Sequence, residues 1–243
     1  MLLALRIWLG EHLFGIIGNP SFPAGYRISP KRVVKWPCDE PEVEGHQFVI
    51  TNTDLPVPRI YRTHKWRGHL AIEMEFLPRC TTLKQCWHEL SERQREQIAD
   101  QLSGYIQQLR SLEPPPARSG RVSATNGGAC RDIRVGSVES FGPFENVSAF
   151  HCCLRGGVEP DAAQEIFGEK VADVHRRPYG IRFTHGDLGV QNILIRDGQI
   201  VAIVDWECSG WYPEYWEYTK AHYNSVLLPE ILRSAPSAHS AIR

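Results

Sequence analysis

Apolar side chains recur every three or four residues in several parts of the chain, which is the period of a helix with one buried face. The clearest case begins at Ser91, where an SxxQ pattern with Gln94 resembles a capping box. Its apolar positions are Ile98, Leu102, Ile106, Leu109 and Leu112. Pro114 and the two prolines after it end the helix because proline has no amide hydrogen to donate. Further helices are predicted over about residues 42–51 and 162–175.

The N-terminal segment also has an apolar helical face. The residues of this face are Leu2, Leu5, Leu9, Leu13 and Ile16. Arg6, Glu11 and His12 interrupt the segment before an 18-residue apolar run is reached, so no stable membrane span is predicted. No positively charged stretch precedes it and no small-residue cleavage site is evident, unlike a signal peptide. We expect this helix to pack against the domain; a helix on a membrane surface and a targeting segment are the alternatives.

Short apolar runs bounded by turn residues predict strands. Four such runs lie at residues 26–28, 33–36, 59–64 and 69–77. Two more flank Asp197-Gly198, a dipeptide that suits the positive φ angles of a two-residue hairpin turn. This hairpin would bring Asn192 and Asp205, at its outer ends, close together. Residues 117–160 are rich in Gly, Ser and Asn and are predicted to form a long loop with short elements.

Composition narrows the class of protein. A chain of 243 residues predicts one or two domains. Hydrophobic residues make up 42% of the chain and charged residues 23%. Such a composition is unlike that of disordered, collagenous or coiled-coil proteins. A net charge of −1 provides no basic field for nucleic acid. Seven cysteines with no CxxC motif and an adjacent Cys152–Cys153 pair favour free thiols, so we expect a reduced, cytoplasmic compartment.

An HGDxxxxN string, followed by the hairpin, carries the candidate chemistry. Asp187 on a loop would accept a proton from an attacking hydroxyl, while Asn192 and Asp205 would supply oxygens to Mg²⁺. Magnesium takes few protein ligands and completes its octahedron with phosphate oxygens and water. A structural hairpin with incidental polar ends is the alternative.

Five strings occur in one order over residues 26–222: RVVKW, TDLPVPRIY, IEMEFLP, FTHGDLGVQNILI and IVDWECSGWYPEYWEYTKA. In these strings the chain resembles the aminoglycoside phosphotransferase/choline kinase group of protein-kinase-like enzymes, and its fungal members in particular. The resemblance implies an α+β, two-lobed kinase-like fold. A small nucleotide-binding lobe with a reduced sheet and the N-terminal helix would span residues 1–77. A mainly helical catalytic lobe would span 78–243, and the two would form one kinase-like domain.

The resemblance also implies catalytic and metal-binding roles. Asp187 would be the catalytic base, and His185 would support the catalytic loop. Asn192 and Asp205 would be the Mg²⁺ ligands. Glu207 would either contact a second metal through water or face solvent.

For the nucleotide, the resemblance assigns Lys35 to the α- and β-phosphates, held by a helix carboxylate. Glu44 is the predicted partner and Glu42 the competitor. Without the family, the Lys35 side chain could simply extend along an apolar strand to water. Backbone groups near Glu75 and Leu77 would bind adenine, unless these residues only form an edge strand.

The implied function is Mg²⁺-requiring phosphoryl transfer from ATP or GTP to a hydroxyl of a small molecule. A pseudokinase-type binding module is the alternative, since no GxGxxG precedes Lys35 and about twenty residues follow the resemblance. A protein kinase is less favoured because HGD replaces HRD and no DFG or APE occurs. Glu217 matches a family acid that is usually structural. The aromatic residues from Trp211 to Tyr218 would form core or an acceptor pocket.

Overall fold

The computed structural model of the protein describes residues 2–19, 22–135, 140–224 and 231. The helices are α1 (Leu2–Phe14), α2 (Glu40–Asn52), α3 (Leu83–Cys86), α4 (Glu92–Ser111), α5 (Val147–Leu154), α6 (Pro160–Phe167), α7 (Glu169–Arg176) and α8 (Trp216–Asn224). The strands are β1 (Ile16–Asn19), β2 (Phe22–Ser29), β3 (Arg32–Cys38), β4 (Ile60–Trp66), β5 (His69–Glu75), β6 (Thr81–Thr82), β7 (Ser123–Ala124), β8 (Ile181–Thr184), β9 (Ile193–Arg196), β10 (Gln199–Ile203) and β11 (Gly210–Pro213).

The chain forms two compact units, and each is built from two chain segments. Unit 1 comprises Met1–Ile98 and Val190–Glu207, and unit 2 comprises Ala99–Gly189 and Cys208–Arg243. These units do not divide at residue 77, and the predicted division into lobes there stays a prediction. Unit 1 extends into α4 and also includes the hairpin of β9 and β10.

Unit 1 contains a five-stranded antiparallel sheet in the order β1-β2-β3-β5-β4. The four predicted runs correspond to β2 through β5. The chain before residue 26, for which no strand was predicted, forms β1 and the start of β2. Helix α2 follows β3 and begins after Asp39, whose side chain accepts a hydrogen bond from the Glu42 amide at 3.1 Å.

Helix α1 packs on this sheet, but through a different face from the predicted one. Ile7 is 3% exposed and contributes to a core with Tyr26, Val34 and Ala71. Gly10 lies so close to the backbone of Arg27 that a Cβ there would collide with the Arg27 carbonyl oxygen. The predicted apolar face is solvent-exposed, with Leu2 at 79%, Leu5 at 56%, Leu9 at 43%, Leu13 at 71% and Ile16 at 37%. Gly10 permits close approach of α1 to the sheet and therefore decides which face of the helix is buried.

Glu73 on β5 ties α1 to the sheet. Its carboxylate accepts two hydrogen bonds from Arg6 at 2.8 and 3.0 Å, one from Arg32 at 2.7 Å, and lies 3.1 Å from His64 Nε2. The Arg6 hydrogen bonds, reinforced by those from Arg32 and His64, outweigh burial and lower the pKa of Glu73 to about 2. The carboxylate thus stays ionised and joins α1, β3 and β4 to β5.

The predicted hairpin around Asp197-Gly198 is confirmed. Strands β9 and β10 pair antiparallel, β6 adds a third strand, and the turn residues have φ of 53° and 75°. The hairpin tip contacts the start of α4, since a Cβ on Gly198 would overlap the Gln94 side chain. Gln94 and Ser91 also form the predicted cap, with Gln94 Oε1 accepting from the Ser91 amide at 3.0 Å.

Unit 2 holds most of α4, the helices α5 to α8 and a small sheet in the order β7-β11-β8. The single helix predicted over 162–175 is wrong. Gly168 adopts φ of 86°, in the left-handed region, and separates α6 from α7. The segment predicted as a long loop contains β7 and the eight-residue α5. Among the described residues, no helix has the length and apolar character needed to span a bilayer.

Candidate active site

Lys35 is the centre of a charged cluster in unit 1. Its Nζ lies 2.7 Å from Glu42 Oε1 and 2.7 Å from Asp205 Oδ1. Burial alone would lower the pKa of Lys35, but the charges of Asp205 and Glu42 outweigh it and raise the pKa. The ammonium is therefore permanently charged at neutral pH. Its fixed position between two carboxylates argues against a side chain that merely extends to water.

The helix partner of Lys35 is Glu42, and the prediction of Glu44 is wrong. Glu42 occupies the third position of α2 and is 3% exposed, whereas Glu44 is exposed. Two residues along a helix turn the side chain by about 200°, so only one of the two can face the strand. Burial raises the pKa of Glu42, while the Lys35 charge acts in the opposite direction.

Asn192 and Asp205 stand at the base of the hairpin, as predicted. The Val204 amide donates to the Asn192 carbonyl at 2.9 Å, which holds the two ends together. Asp205 has φ of 72°, a left-handed conformation that turns the chain immediately after β10. An amide and a carboxylate oxygen fit Mg²⁺, which leaves most coordination positions to phosphate and water. Among the described residues, no group of three or more His, Cys, Asp or Glu side chains is placed to hold a metal ion.

The predicted adenine-binding segment follows β5. The Glu75 amide donates to the Arg59 carbonyl at 2.9 Å, and the Phe76 amide donates to the Lys31 carbonyl at 3.0 Å. In the described ranges, the Leu77 amide has no backbone acceptor. An adenine contact here would therefore use the Leu77 amide and not the Glu75 amide.

In unit 2 the HGD loop is held by Glu217 of α8. Glu217 Oε2 accepts hydrogen bonds from the amides of His185 at 2.6 Å and Gly186 at 3.3 Å. Burial raises the pKa of Glu217, while His185 and the two amides oppose this shift. His185 is fully buried, and its Nδ1 accepts from the Asp187 amide at 3.2 Å. Since Nδ1 is an acceptor, the ring proton of neutral His185 lies on Nε2.

Gly186 adopts φ of 77°, and a Cβ at this position would strike the backbone carbonyl of Cys208. Both conditions require glycine between His185 and Asp187. The HGD spacing is thus a consequence of backbone geometry as well as of chemistry.

The sequence did not reveal a buried ion-pair chain in which Lys220 links Asp187 to Asp132. Lys220 Nζ lies 3.3 Å from Asp187 Oδ1 and 3.4 Å from Asp132 Oδ1. The Lys220 side chain is 1% exposed, and that of Asp132 is fully buried. A signal was present, because Lys220 follows Trp216 by four residues and so shares its helical face. Asp132 fell in the segment predicted as loop.

The aromatic residues after the hairpin mainly form core. Trp211, Tyr212 and Trp216 are buried, and the rings of Tyr212 and Trp216 stack at 5.6 Å. The Tyr215 hydroxyl lies 2.7 Å from His151 Nε2. Glu207 is half-buried in a short 3₁₀ turn, Trp206–Cys208.

A cavity of about 960 Å³ opens in unit 2 near the start of β8. Its walls include Asn146, Arg177 and Tyr179, and none of the predicted site residues lines it. Asp187 follows the opposite end of β8 and does not line the cavity, so the cavity is separate from the HGD loop.

A family comparison identifies the chain. The model of the phosphotransferase enzyme family matches residues 44–235, which is more than three quarters of the sequence. The chain belongs to the phosphotransferase enzyme family. The match includes the HGD loop and both predicted metal ligands, and it begins after Lys35 and Glu42. A search of curated proteins finds no significant match to this chain.

Solved structures of aminoglycoside phosphotransferases share the fold of this phosphotransferase-family chain. The gentamicin complex of APH(2'')-IIa has a TM-score of 0.58 at 13% identity, covering 96% of this chain and 81% of that one. ADP-bound APH(2'')-Ib has a TM-score of 0.58 at 12% identity, covering 99% and 85%. A thermostable APH(4)-Ia mutant with AMP-PNP and hygromycin B has a TM-score of 0.54 at 14% identity, covering 97% and 87%.

These findings confirm the α+β kinase-like fold and the family. They give no support to a relationship with fungal members in particular. The roles assigned to Lys35, Asp187, Asn192 and Asp205 stay predictions. What the structure adds is their surroundings, with Lys35 and the two metal-ligand candidates in unit 1 and the HGD loop in unit 2.

Proposed function

We propose that the protein is a Mg²⁺-dependent phosphotransferase that moves the terminal phosphoryl group of ATP or GTP to a hydroxyl of a small molecule. The observation that carries this proposal is the placement of Lys35 between Glu42 and Asp205, at 2.7 Å from each. A fixed ammonium beside a carboxylate at a hairpin base is the arrangement that kinase-type phosphate binding requires.

On the donor side, Lys35 would contact the α- and β-phosphates. Asn192 and Asp205 would hold Mg²⁺, and the ion would supply positive charge to balance that of the phosphoryl oxygens. The Leu77 amide, together with the Glu75 carbonyl, would recognise the base edge. The relatives with ADP and with AMP-PNP support a nucleotide as donor.

On the acceptor side, Asp187 would accept the hydroxyl proton as the new O–P bond forms. The Asp187 backbone is oriented by His185, and the loop before it is fixed by Glu217. General-base assistance of this kind contributes roughly 10²–10⁴ to a rate. The gentamicin and hygromycin B complexes support a small hydroxyl-bearing acceptor. At 13–14% identity the likeness is one of fold. We therefore propose a class of acceptor, small molecules with a hydroxyl group, and no particular drug.

Thermal unfolding with Mg²⁺ and nucleotide tests the donor side. A hundredfold excess of nucleotide over Kd adds about 2.7 kcal/mol, which for this chain length raises Tm by roughly 5–10 °C. We expect a rise that requires Mg²⁺ and is lost in Asp205→Asn. The matched control is Asp197→Asn, an exposed residue in the turn of the same hairpin, which should behave like the parent protein.

Turnover with a panel of hydroxyl acceptors tests the acceptor side. Asp187→Asn should keep the thermal shift and reduce turnover by at least about 10². A parent protein with no shift for either nucleotide would refute nucleotide binding. A parent protein with a shift but no turnover would establish the pseudokinase-type binding module instead. A cytoplasmic location stays a prediction.

A further inference from the structure

Helix α8 places a buried ammonium against the predicted catalytic base. Lys220 is among the least exposed residues of unit 2, with its side chain 1% accessible. Lysine is almost never fully buried unless it is paired. Its Nζ has two carboxylate neighbours, Asp132 Oδ1 at 3.4 Å and Asp187 Oδ1 at 3.3 Å.

Asp132 already has its own counter-ion. Arg134 binds it through Nε, at 2.9 and 3.1 Å, and through Nη2, at 2.6 Å, and the Arg134 amide donates to it as well. Arg134 is fixed in turn, because its guanidinium lies 4.2 Å from the centre of a Trp216 ring and donates to Thr219. With Asp132 neutralised by Arg134, the Lys220 charge is the counterpart of the Asp187 carboxylate.

The contacts of the HGD loop leave a separate task for Lys220. Glu217 and His185 hold backbone amides of the loop, including that of Asp187. Those contacts fix where the loop lies, whereas the Lys220 contact is made to the Asp187 carboxylate itself. The four residues between Asp187 and Asn192 carry no positive charge. Helix α8 therefore supplies a cation beside the predicted base.

We propose that Lys220 is a positioning residue that holds Asp187 Oδ1, so that Oδ2 receives the acceptor proton. This inference rests on the proposed phosphotransferase function. In the step, the hydroxyl proton moves to Asp187, the acceptor O–P bond forms, the bond from phosphorus to the leaving oxygen breaks, and its electron pair leaves with the nucleoside diphosphate. Lys220 gains and loses no proton. Asp132, itself bound by Arg134, holds the other side of the Lys220 ammonium.

The test compares Lys220→Met and Lys220→Arg with a matched control, Lys170→Met, whose lysine is exposed on α7 of the same unit. Turnover of Mg-nucleotide is measured with an active acceptor and with water alone. A catalytic group displaced by about 1 Å can cost roughly 10² in rate. We expect kcat to fall roughly 30- to 100-fold in Lys220→Met, with KM for nucleotide within about twofold of the parent value.

The kcat of Lys220→Arg should be at least about tenfold higher than that of Lys220→Met, because arginine restores a cation next to the Asp187 carboxylate. Lys170→Met should match the parent protein. A small alkylammonium ion should partly restore kcat in Lys220→Ala, a recovery that a purely structural role would not give. The double variant Lys220→Met/Asp187→Asn should have a higher Tm than Lys220→Met, since it also removes the stranded carboxylate.

Three results would overturn the inference. One is a folded Lys220→Met with parental kcat. Another is a loss of kcat and Tm that neither arginine nor alkylammonium reverses, which would make Lys220 structural. The third is a double variant whose Tm is no higher than that of Lys220→Met. This Tm comparison, which does not depend on activity, would show that Lys220 does not stabilise the Asp187 carboxylate. A parent protein without turnover would refute the proposed function itself, and this result is separate because it needs no variant.

Discussion

Replacing Glu73 by glutamine tests how α1 is attached to the sheet of unit 1. The substitution keeps the shape of the side chain but removes the charge that Arg6, Arg32 and His64 surround. The difference between the ordinary pKa of 4.5 and about 2 corresponds to roughly 3 kcal/mol of stability at neutral pH. The Arg6 side chain is 34% exposed and the Arg32 side chain 44% exposed. Solvent screening of these partners reduces the contribution to about 2 kcal/mol.

The pH dependence has a definite sign. A carboxyl whose pKa is lowered in the folded state stabilises fully above its unfolded pKa, here about 4.5, and loses this contribution as pH falls toward about 2. Urea unfolding of the parent and Glu73→Gln should therefore differ most at pH 7 and converge as the pH approaches 2. Proteolysis within α1 should also become faster in the variant, since Arg6 loses its partner.

Glu75→Gln is the matched control, because Glu75 lies on the same strand two residues later and its carboxylate accepts from the Arg59 amide instead. We expect its unfolding free energy to remain within about 0.5 kcal/mol of the parent value. Equal losses in the two variants at pH 7, or a Glu73→Gln deficit that persists unchanged at the lowest pH, would refute the reasoning.

Two further predictions concern the site. Glu42→Gln removes the charge of the helix partner of Lys35 and should weaken Mg-nucleotide binding about tenfold, or about 1.4 kcal/mol. Glu44→Gln should have little effect in the same nucleotide titration. A larger loss in Glu44→Gln than in Glu42→Gln would instead support Glu44 as the functional partner of Lys35. Gly186→Ala should destabilise by about 3 kcal/mol because it adds a backbone collision to a left-handed φ. In contrast, Gly104→Ala, at an open position in α4, should stabilise by about 0.5–1 kcal/mol in the same denaturation experiment.

Elements with strong local signals were predicted from the sequence. The apolar period of α4 and its Ser91–Gln94 cap are local, as is the positive φ required at Asp197-Gly198. The five sequence motifs, from RVVKW to IVDWECSGWYPEYWEYTKA, indicated the family because they occur in the family's order along the chain. Each of these features depends on residues close in sequence, so single-sequence reasoning could find it.

The incorrect or missing predictions have two causes: tertiary contacts, and local conformations that the sequence does not mark uniquely. The face of α1 was decided by close approach at Gly10, and no periodicity of leucines reports such an approach. The choice between Glu42 and Glu44 depended on where α2 begins, which Asp39 fixes. Lys220 could not be paired with Asp132 from sequence, since 88 residues separate them. Helices α6 and α7 were merged because the left-handed conformation of Gly168 has no unique sequence signature.

The discontinuity of unit 1 has a consequence for its synthesis. Residues 99–189 emerge from the ribosome between the two segments of this unit. Their synthesis takes roughly 5–20 s at typical elongation rates. During that interval β6 lacks its pairing partner β9, and Lys35 lacks one of its two carboxylates. An unpaired strand edge is a template for association between nascent chains. The period of greatest vulnerability to aggregation should therefore precede translation of the hairpin that ends at Asp205.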